Sequence, residues 1–185
     1  METLKNKKLI IYVVMGLLSV LSLYSEIVAC VGIKTLDFTI ELIVFCIMLA
    51  LILYYAIVNF KVPHGNLLKY LFIAFSAMTF VGLLAGSSSS GVPQEDIYLY
   101  QLLRGVVVIA SAYIGGRLDR IKENIYYIIV CAFILLGTSI VNIVLYDITD
   151  FISIVFFSNF FILWLDLALA YIFRYYGHKE AEKAE

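Results

Sequence analysis

Three ionisable side chains, Glu26, Arg104 and Asp166, stand inside long apolar runs of the chain. A charge surrounded by hydrocarbon is costly, so each marks either a partner for another charge or a functional site. Glu26 and Arg104 each lie seven residues in from the same end of their runs, which places both about 10 Å below one surface if the runs are helical. Equal depth leaves two chemistries open. The pair neutralises itself and holds two helices in register, or it forms the two poles of a binding site. In the second case the planar fork of Arg104 clamps a carboxylate or phosphate, and Glu26 receives an amine or a proton. Gln101 lies one turn above Arg104, Ser111 lies two turns below it, and Ser19 and Ser22 share a face with Glu26. Asn142, Asn159 and Glu41 belong to the corresponding ends of other runs. The expected binding set is therefore Arg104, Glu26, Gln101, Asn159, Glu41 and Asn142, and the expected ligand is a small anionic or zwitterionic solute. Asp166 lies toward the opposite end of its run. It reads as a partner for Arg117, part of a proton path, or a helix-pairing residue.

The elements that position these residues follow from composition. The chain has 185 residues, of which 63% are hydrophobic, and its mean hydropathy is +1.00. Soluble domains hold about 45–50% apolar residues, and a domain of this size cannot bury such an excess. Lipid is the solvent that accepts it. Runs of about 20 apolar residues, enough to cross a bilayer as a helix, fall at 9–33, 38–60, 67–86, 97–116, 125–146 and 151–173. Each is about twice the length of a barrel strand and lacks its alternation, which leaves helices as the spanning structure. The expected fold is all-α: one membrane domain over 1–185, a compact bundle of six transmembrane helices.

Basic residues set the orientation. Lys5, Lys7, Lys8, Lys61, Lys69, Arg117, Arg120, Lys122, Arg174, Lys179 and Lys183 fall on one side of these spans, and Lys34 alone falls on the other. Cytoplasmic loops carry this excess, so both termini are expected in the cytoplasm of a multi-pass cell-membrane protein. Asp37, Glu41, Glu95, Asp96, Asp147 and Asp150 lean to the outer side. Tyrosines sit as interfacial anchors: Tyr54, Tyr55, Tyr70, Tyr126, Tyr127, Tyr175 and Tyr176 inside, Tyr98, Tyr100 and Tyr146 outside. The stretch Ile27–Cys30 faintly has the form of a lipoprotein cleavage box. The run before it is too long for a signal peptide, and Glu26 interrupts it.

Several chemistries find no footing. Cys30, Cys46 and Cys131 form no CxxC pair and read as small buried hydrophobes. There is no Walker A, GxGxxG or HExxH segment. His64 and His178 lie outside the apolar runs, which leaves no paired haem ligands. No cofactor, metal or nucleic acid is expected, and enzymatic activity is disfavoured because no acid–base pair or metal constellation stands at one depth. Small residues predict close helix contacts, within the chain or with a membrane partner, at Gly82/Gly86 and along Gly105, Ala112 and Gly116.

The segment Gly115-Gly116-Arg117-Leu118-Asp119-Arg120 resembles the cytoplasmic loop motif of major facilitator transporters. In that family the motif follows the second helix, whereas here it follows the fourth run. It also reads as a basic turn that ends a helix and anchors topology. In size and topology alone, the chain is similar to the substrate-binding components of energy-coupling-factor transporters. That resemblance implies an ATPase and a scaffold subunit as partners. The alanine spacing those proteins carry on their first helix is replaced here by Gly16, Ser19 and Ser22. The expected function is a membrane-embedded module that binds or transports a small solute through a polar site in the outer half. The alternative is a non-catalytic structural or sensory subunit of a larger membrane complex.

Overall fold

Long apolar runs satisfy their own backbone hydrogen bonds only as helices when no water is present. The computed structural model of the chain describes residues 2–33, 36–58, 65–86 and 94–181. These form seven helices: α1 (Glu2–Ile33), α2 (Leu36–Val58), α3 (Gly65–Gly86), α4 (Gln94–Gly116), α5 (Ile121–Leu145), α6 (Phe151–Phe157) and α7 (Asn159–Ala181). No strand and no proline falls within the described residues. Val13–Gly32, Tyr98–Gly116 and Ile121–Leu145 are each long and apolar enough to cross a membrane. The bent pair Phe151–Phe157 and Asn159–Ile172 counts as a fourth only when its two helices are taken as one span, and Leu42–Tyr54 and Leu67–Val81 are shorter apolar stretches. Leu17, Val20, Leu102, Ile109, Phe133 and Val144 stand on the outside. So large an exposed apolar surface suits contact with lipid rather than water.

The bundle is built around α7. It packs against α1, α2, α3, α5 and α6, and it buries Ile162, Leu163, Trp164, Leu167, Ala168, Ala170 and Tyr171. A helix that is apolar on nearly every side belongs in an interior. Phe72 of α3 meets the rings of Trp164 and Tyr171 edge-on, with centroids 5.8 Å apart in each case. Phe75 lies 5.1 Å from Trp164. The indole N–H of Trp164 donates to the Ile128 carbonyl of α5 at 3.1 Å, so the one polar atom of this large side chain is satisfied.

The fourth helix packs on α3 and α5, and among the described residues its backbone comes close to neither α1 nor α7. Its close approach to α3 depends on Gly115. A Cβ built there would lie 3.1 Å from both the Lys69 carbonyl oxygen and the Phe72 Cβ. The Ser76 hydroxyl donates across the same interface to the Val108 carbonyl at 2.7 Å. Gly115→Val is expected to force α3 and α4 apart and to destabilise the fold by about 1–3 kcal/mol, the usual cost of overpacking. Reversible denaturation in detergent, followed by fluorescence of the single tryptophan, measures it.

The small-residue face expected at Gly105, Ala112 and Gly116 meets no other helix among the described residues. Nothing lies within 4 Å of a Cβ built at Gly105 or Gly116, and Ala112 is exposed. The reason is one of phase: the face that meets α3 runs through Gly115, one residue away, and a helix turns 100° per residue. The surroundings of Gly82 and Gly86, the side chain of Glu41 and the serine run Ser87–Ser90 lie outside the described residues.

At its end, α5 closes with Asp147 at a φ of 48°. The Ile148 N–H returns to the Ile143 carbonyl and the Asp147 N–H to that of Val144, the paired bonds of a left-handed helix stop. Asp150 then caps α6 by accepting from the Ser153 N–H at 2.8 Å. The hydrogen bond with the Ser153 side chain, and after it this backbone bond, holds the Asp150 carboxyl below its ordinary range.

The sixth apolar run, expected as one continuous span, is broken. The axes of α6 and α7 meet at 61°. Ser158 stands at the joint, its N–H shared between the carbonyls of Ile154 and Val155 at 3.1 Å each. Serine and asparagine side chains compete for backbone hydrogen bonds and favour helix ends. The Ser158–Asn159 pair stands at the break in a phenylalanine-rich stretch of ordinary to low helix propensity, and the Asn159 side chain is drawn to Glu26 and Ser22 of α1.

Candidate functional site

The break between α6 and α7 gathers the polar side chains. Asn159, the first residue of α7, turns toward α1. Its amide nitrogen donates to Glu26 Oε1 at 2.8 Å. Its carbonyl oxygen accepts from Ser22 at 2.7 Å and from Ser25 at 3.4 Å. Ser25 also donates to the Ser22 carbonyl at 2.9 Å. Glu26 is 4% exposed and Asn159 2%, so this carboxylate and its asparagine are held away from solvent by one another and by two serines. Ser19, Ser22, Ser25 and Glu26 fall on one stripe of α1 because helical neighbours recur at three- and four-residue intervals. A second rung lies lower on the same stripe, where Ser19 donates to Asp166 Oδ2 at 2.8 Å. Moving up α1 from Ser19 to Glu26 means moving back along α7 from Asp166 to Asn159. The two helices are antiparallel, and the rungs stand about 10 Å apart along the axes.

On the other side of the break, Arg104 of α4 lies over the ring of Phe160, with its guanidinium carbon 5.4 Å from the centroid. It also lies 4.9 Å over the ring of Tyr100, and Nη2 donates to the Tyr100 hydroxyl at 2.9 Å. Asn142 of α5 donates to the same oxygen at 3.0 Å. Arg104 Nε is buried and has no acceptor. The Tyr100 oxygen receives two hydrogen bonds, which leaves its own proton to give.

Arg104 and Glu26 therefore sit beside successive residues, Phe160 and Asn159, whose side chains leave the start of α7 about 100° apart. They do not form the direct pair that was one of the two expected arrangements. Among the described residues α1 and α4 make no close backbone approach, and Asn159 and Phe160 at the start of α7 are the residues that meet the two charged groups. Gln101 is partly exposed and makes no side-chain hydrogen bond within the described residues. Asp166 binds Ser19 rather than Arg117, whose guanidinium instead lies 5.4 Å over the Tyr113 ring. Ser111 turns back onto the Val107 carbonyl of its own helix. Tyr100 is a site residue that sequence reasoning took for an interfacial anchor. Its placement between Tyr98 and Arg104, one turn from the arginine, was the available signal.

No family model, curated protein or solved structure matches the chain. The site's chemistry rests on its own geometry. One face offers a buried carboxylate and an asparagine. The other offers a guanidinium with a spare N–H, a tyrosine hydroxyl and an asparagine amide. A third polar group lies at the far end of α7. There the Tyr171 hydroxyl donates to the Leu118 carbonyl at 2.8 Å. It accepts from the Asn124 amide at 2.8 Å, and Asn124 also donates to the Arg117 carbonyl at 2.7 Å. This ties the α4–α5 turn to α7 and reads as a structural clasp. Among the described residues no group of three or more His, Cys, Asp or Glu side chains is placed to hold a metal ion.

Proposed function

We propose that the chain is a membrane-embedded module that binds or transports a small zwitterionic or anionic solute, and that its site is the break in the sixth span. The observation that carries this reading is the break itself, flanked by Glu26 through Asn159 and by Arg104 through Phe160. Discontinuous membrane helices, with polar groups gathered where the helix stops, mark substrate sites in many transporters. A carboxylate or phosphate on the solute takes the Arg104 Nε–H and the Tyr100 proton, both unused. An ammonium group takes the Glu26 carboxylate. Phe160 supplies an apolar floor between the poles.

In this reading the chain crosses the bilayer six times, α6 and α7 together forming the last crossing, with both termini in the cytoplasm. The antiparallel register of α1 and α7 supports it, because it puts the start of α1 and the end of α7 at one end of the bundle. Arg117, Arg120 and Lys122 lie at that same end, near the Tyr171 clasp. The break then lies in the outer half and is reached from outside.

A second reading, a subunit of a larger membrane complex, is favoured by the outward face of Gly105, Ala112 and Gly116. Small residues there would let another helix approach closely.

Cysteine labelling tests the first reading. Cys30, Cys46 and Cys131 are free thiols and are first replaced by serine or alanine. Gln101→Cys is then expected to react with a membrane-impermeant maleimide added outside intact cells, and Lys122→Cys only after the cells are opened. Labelling of Gln101→Cys only from inside, or from neither side, would contradict a site open to the exterior.

A further inference from the structure

We propose that Asp166 and Ser19 form a proton-binding site, separate from the solute site, in which the Asp166 carboxyl stays protonated while α1 is packed on α7. Asp166 is 0% exposed. One carboxyl oxygen accepts from the Ser19 hydroxyl at 2.8 Å, and the other is buried with no hydrogen-bond partner. Around it on α7 stand Leu163, Leu167 and Ala170, all buried and apolar.

An ionised carboxylate in such a place needs a cation or several N–H and O–H donors. One serine is not enough, and among the described side chains no cation is near. Among the described residues, the titratable groups on the helices packed against α7 are few. Among side chains that are described, α1 carries Glu26, which lies on the upper rung, Tyr24, which is exposed, and Cys30, one turn beyond Glu26. α2 carries Cys46 and the exposed Tyr54. α3 carries Lys69 and Tyr70, both exposed. α5 carries the buried Cys131, the exposed tyrosines Tyr126 and Tyr127, and the exposed pair Lys122 and Glu123 at its start. α6 carries none. On α7 itself Tyr171 is engaged with Leu118 and Asn124, and Arg174 lies about 12 Å along the axis. Arg104 is stacked on Tyr100 and Phe160 beside the upper rung.

A metal cation is a poorer occupant than a proton. Hard cations take about six or more oxygen ligands, and the geometry offers the carboxyl and one hydroxyl. A proton needs only the carboxylate oxygen that nothing else uses. The proton binds as the bond between it and one carboxylate oxygen forms, the group becomes neutral, and Ser19 keeps its hydrogen bond to the other oxygen. Release requires water to reach Asp166, which requires α1 to separate from α7 at Ser19. The same two helices hold Asn159 on Glu26, so movement at one rung is felt at the other. That link to solute movement rests on the reading of the break as a solute site; the proton site itself does not.

Infrared difference spectroscopy of the full chain in lipid vesicles, with no solute added, tests the proposal. At neutral pH the wild type is expected to show the C=O stretch of a protonated, buried carboxyl. Asp166→Asn, which keeps shape and can still accept from Ser19, should lose that band. Ser19→Ala should shift it to higher frequency, since the hydrogen bond to the C=O is gone. Arg104→Gln, which abolishes the proposed solute clamp, should leave the band in place. If Asp166→Asn removes no protonated-carboxyl band at neutral pH, Asp166 is ionised and the proposal is overturned. If the band is present in potassium and vanishes in sodium at constant pH, the site is a cation site and the proposal is likewise overturned.

Discussion

Replacing Asn159 with leucine is expected to lower the stability of the folded bundle in detergent by about 1.5–3 kcal/mol, the range for a hydrogen bond to a charged group. The side chains are close in size, so lost packing is a minor part of the effect. Leucine takes away the donor to Glu26 Oε1 and the acceptor for Ser22. The carboxylate is then left short of a hydrogen bond in a region sealed from water, and the serine hydroxyl must find another acceptor. Unfolding followed by Trp164 fluorescence reads the loss, because that indole packs against Phe72 and Phe75 in the core. Ser25→Ala serves as the internal control. Its hydroxyl is 3.4 Å from Asn159 and is already given to the Ser22 carbonyl, so a change of under about 1 kcal/mol is expected. Equal losses in the two variants would show that the rung is not held by the asparagine.

Arg104→Gln is expected to weaken solute binding by about 10–100-fold while leaving the chain folded and inserted. The guanidinium is only partly buried, and its contacts are one hydrogen bond and two ring faces. Its loss from the empty protein is correspondingly mild. Its loss from a complex removes a charge-assisted hydrogen bond of roughly 1.5–3 kcal/mol, and each 1.4 kcal/mol is about tenfold in affinity. Arg104→Lys keeps the charge but not the planar fork, so an intermediate affinity is expected. Should Arg104→Gln instead unfold the chain as strongly as Asn159→Leu, the arginine is a structural residue.

The helical class was legible because apolar runs of spanning length leave the backbone no other solution. Counting residues from the ends of two runs put Glu26 and Arg104 at one depth, and the two lie beside the successive residues Asn159 and Phe160. What depth cannot give is azimuth and helix order. Six apolar runs pack in many orders at equal hydropathy, so nothing in the chain announced that α7 would occupy the centre or that α1 and α4 would make no close backbone approach among the described residues. The same gap explains Asp166, whose partner proved to be Ser19 on a distant helix rather than the nearby-looking Arg117. The break at Ser158 was hidden because no glycine or proline marks it. Its only signal is a serine–asparagine pair, which in soluble proteins would be read at once as a helix end. Tyr100 was hidden by a sound rule, since Tyr98 and Tyr146, read by the same rule, do stand exposed.

The measurement that bears most directly on the proposed solute site is ligand-induced stabilisation of the purified chain, using a panel of free amino acids, their amine-only and carboxylate-only analogues, and inorganic phosphate. At least one zwitterion is expected to raise the midpoint of thermal unfolding of the wild type. That response should vanish in Arg104→Gln and in Glu26→Gln, with the carboxylate-only analogue losing its weaker effect only in the arginine variant. A wild type that responds to no member of the panel, or a response that survives unchanged in Arg104→Gln, would contradict a solute site at the broken span.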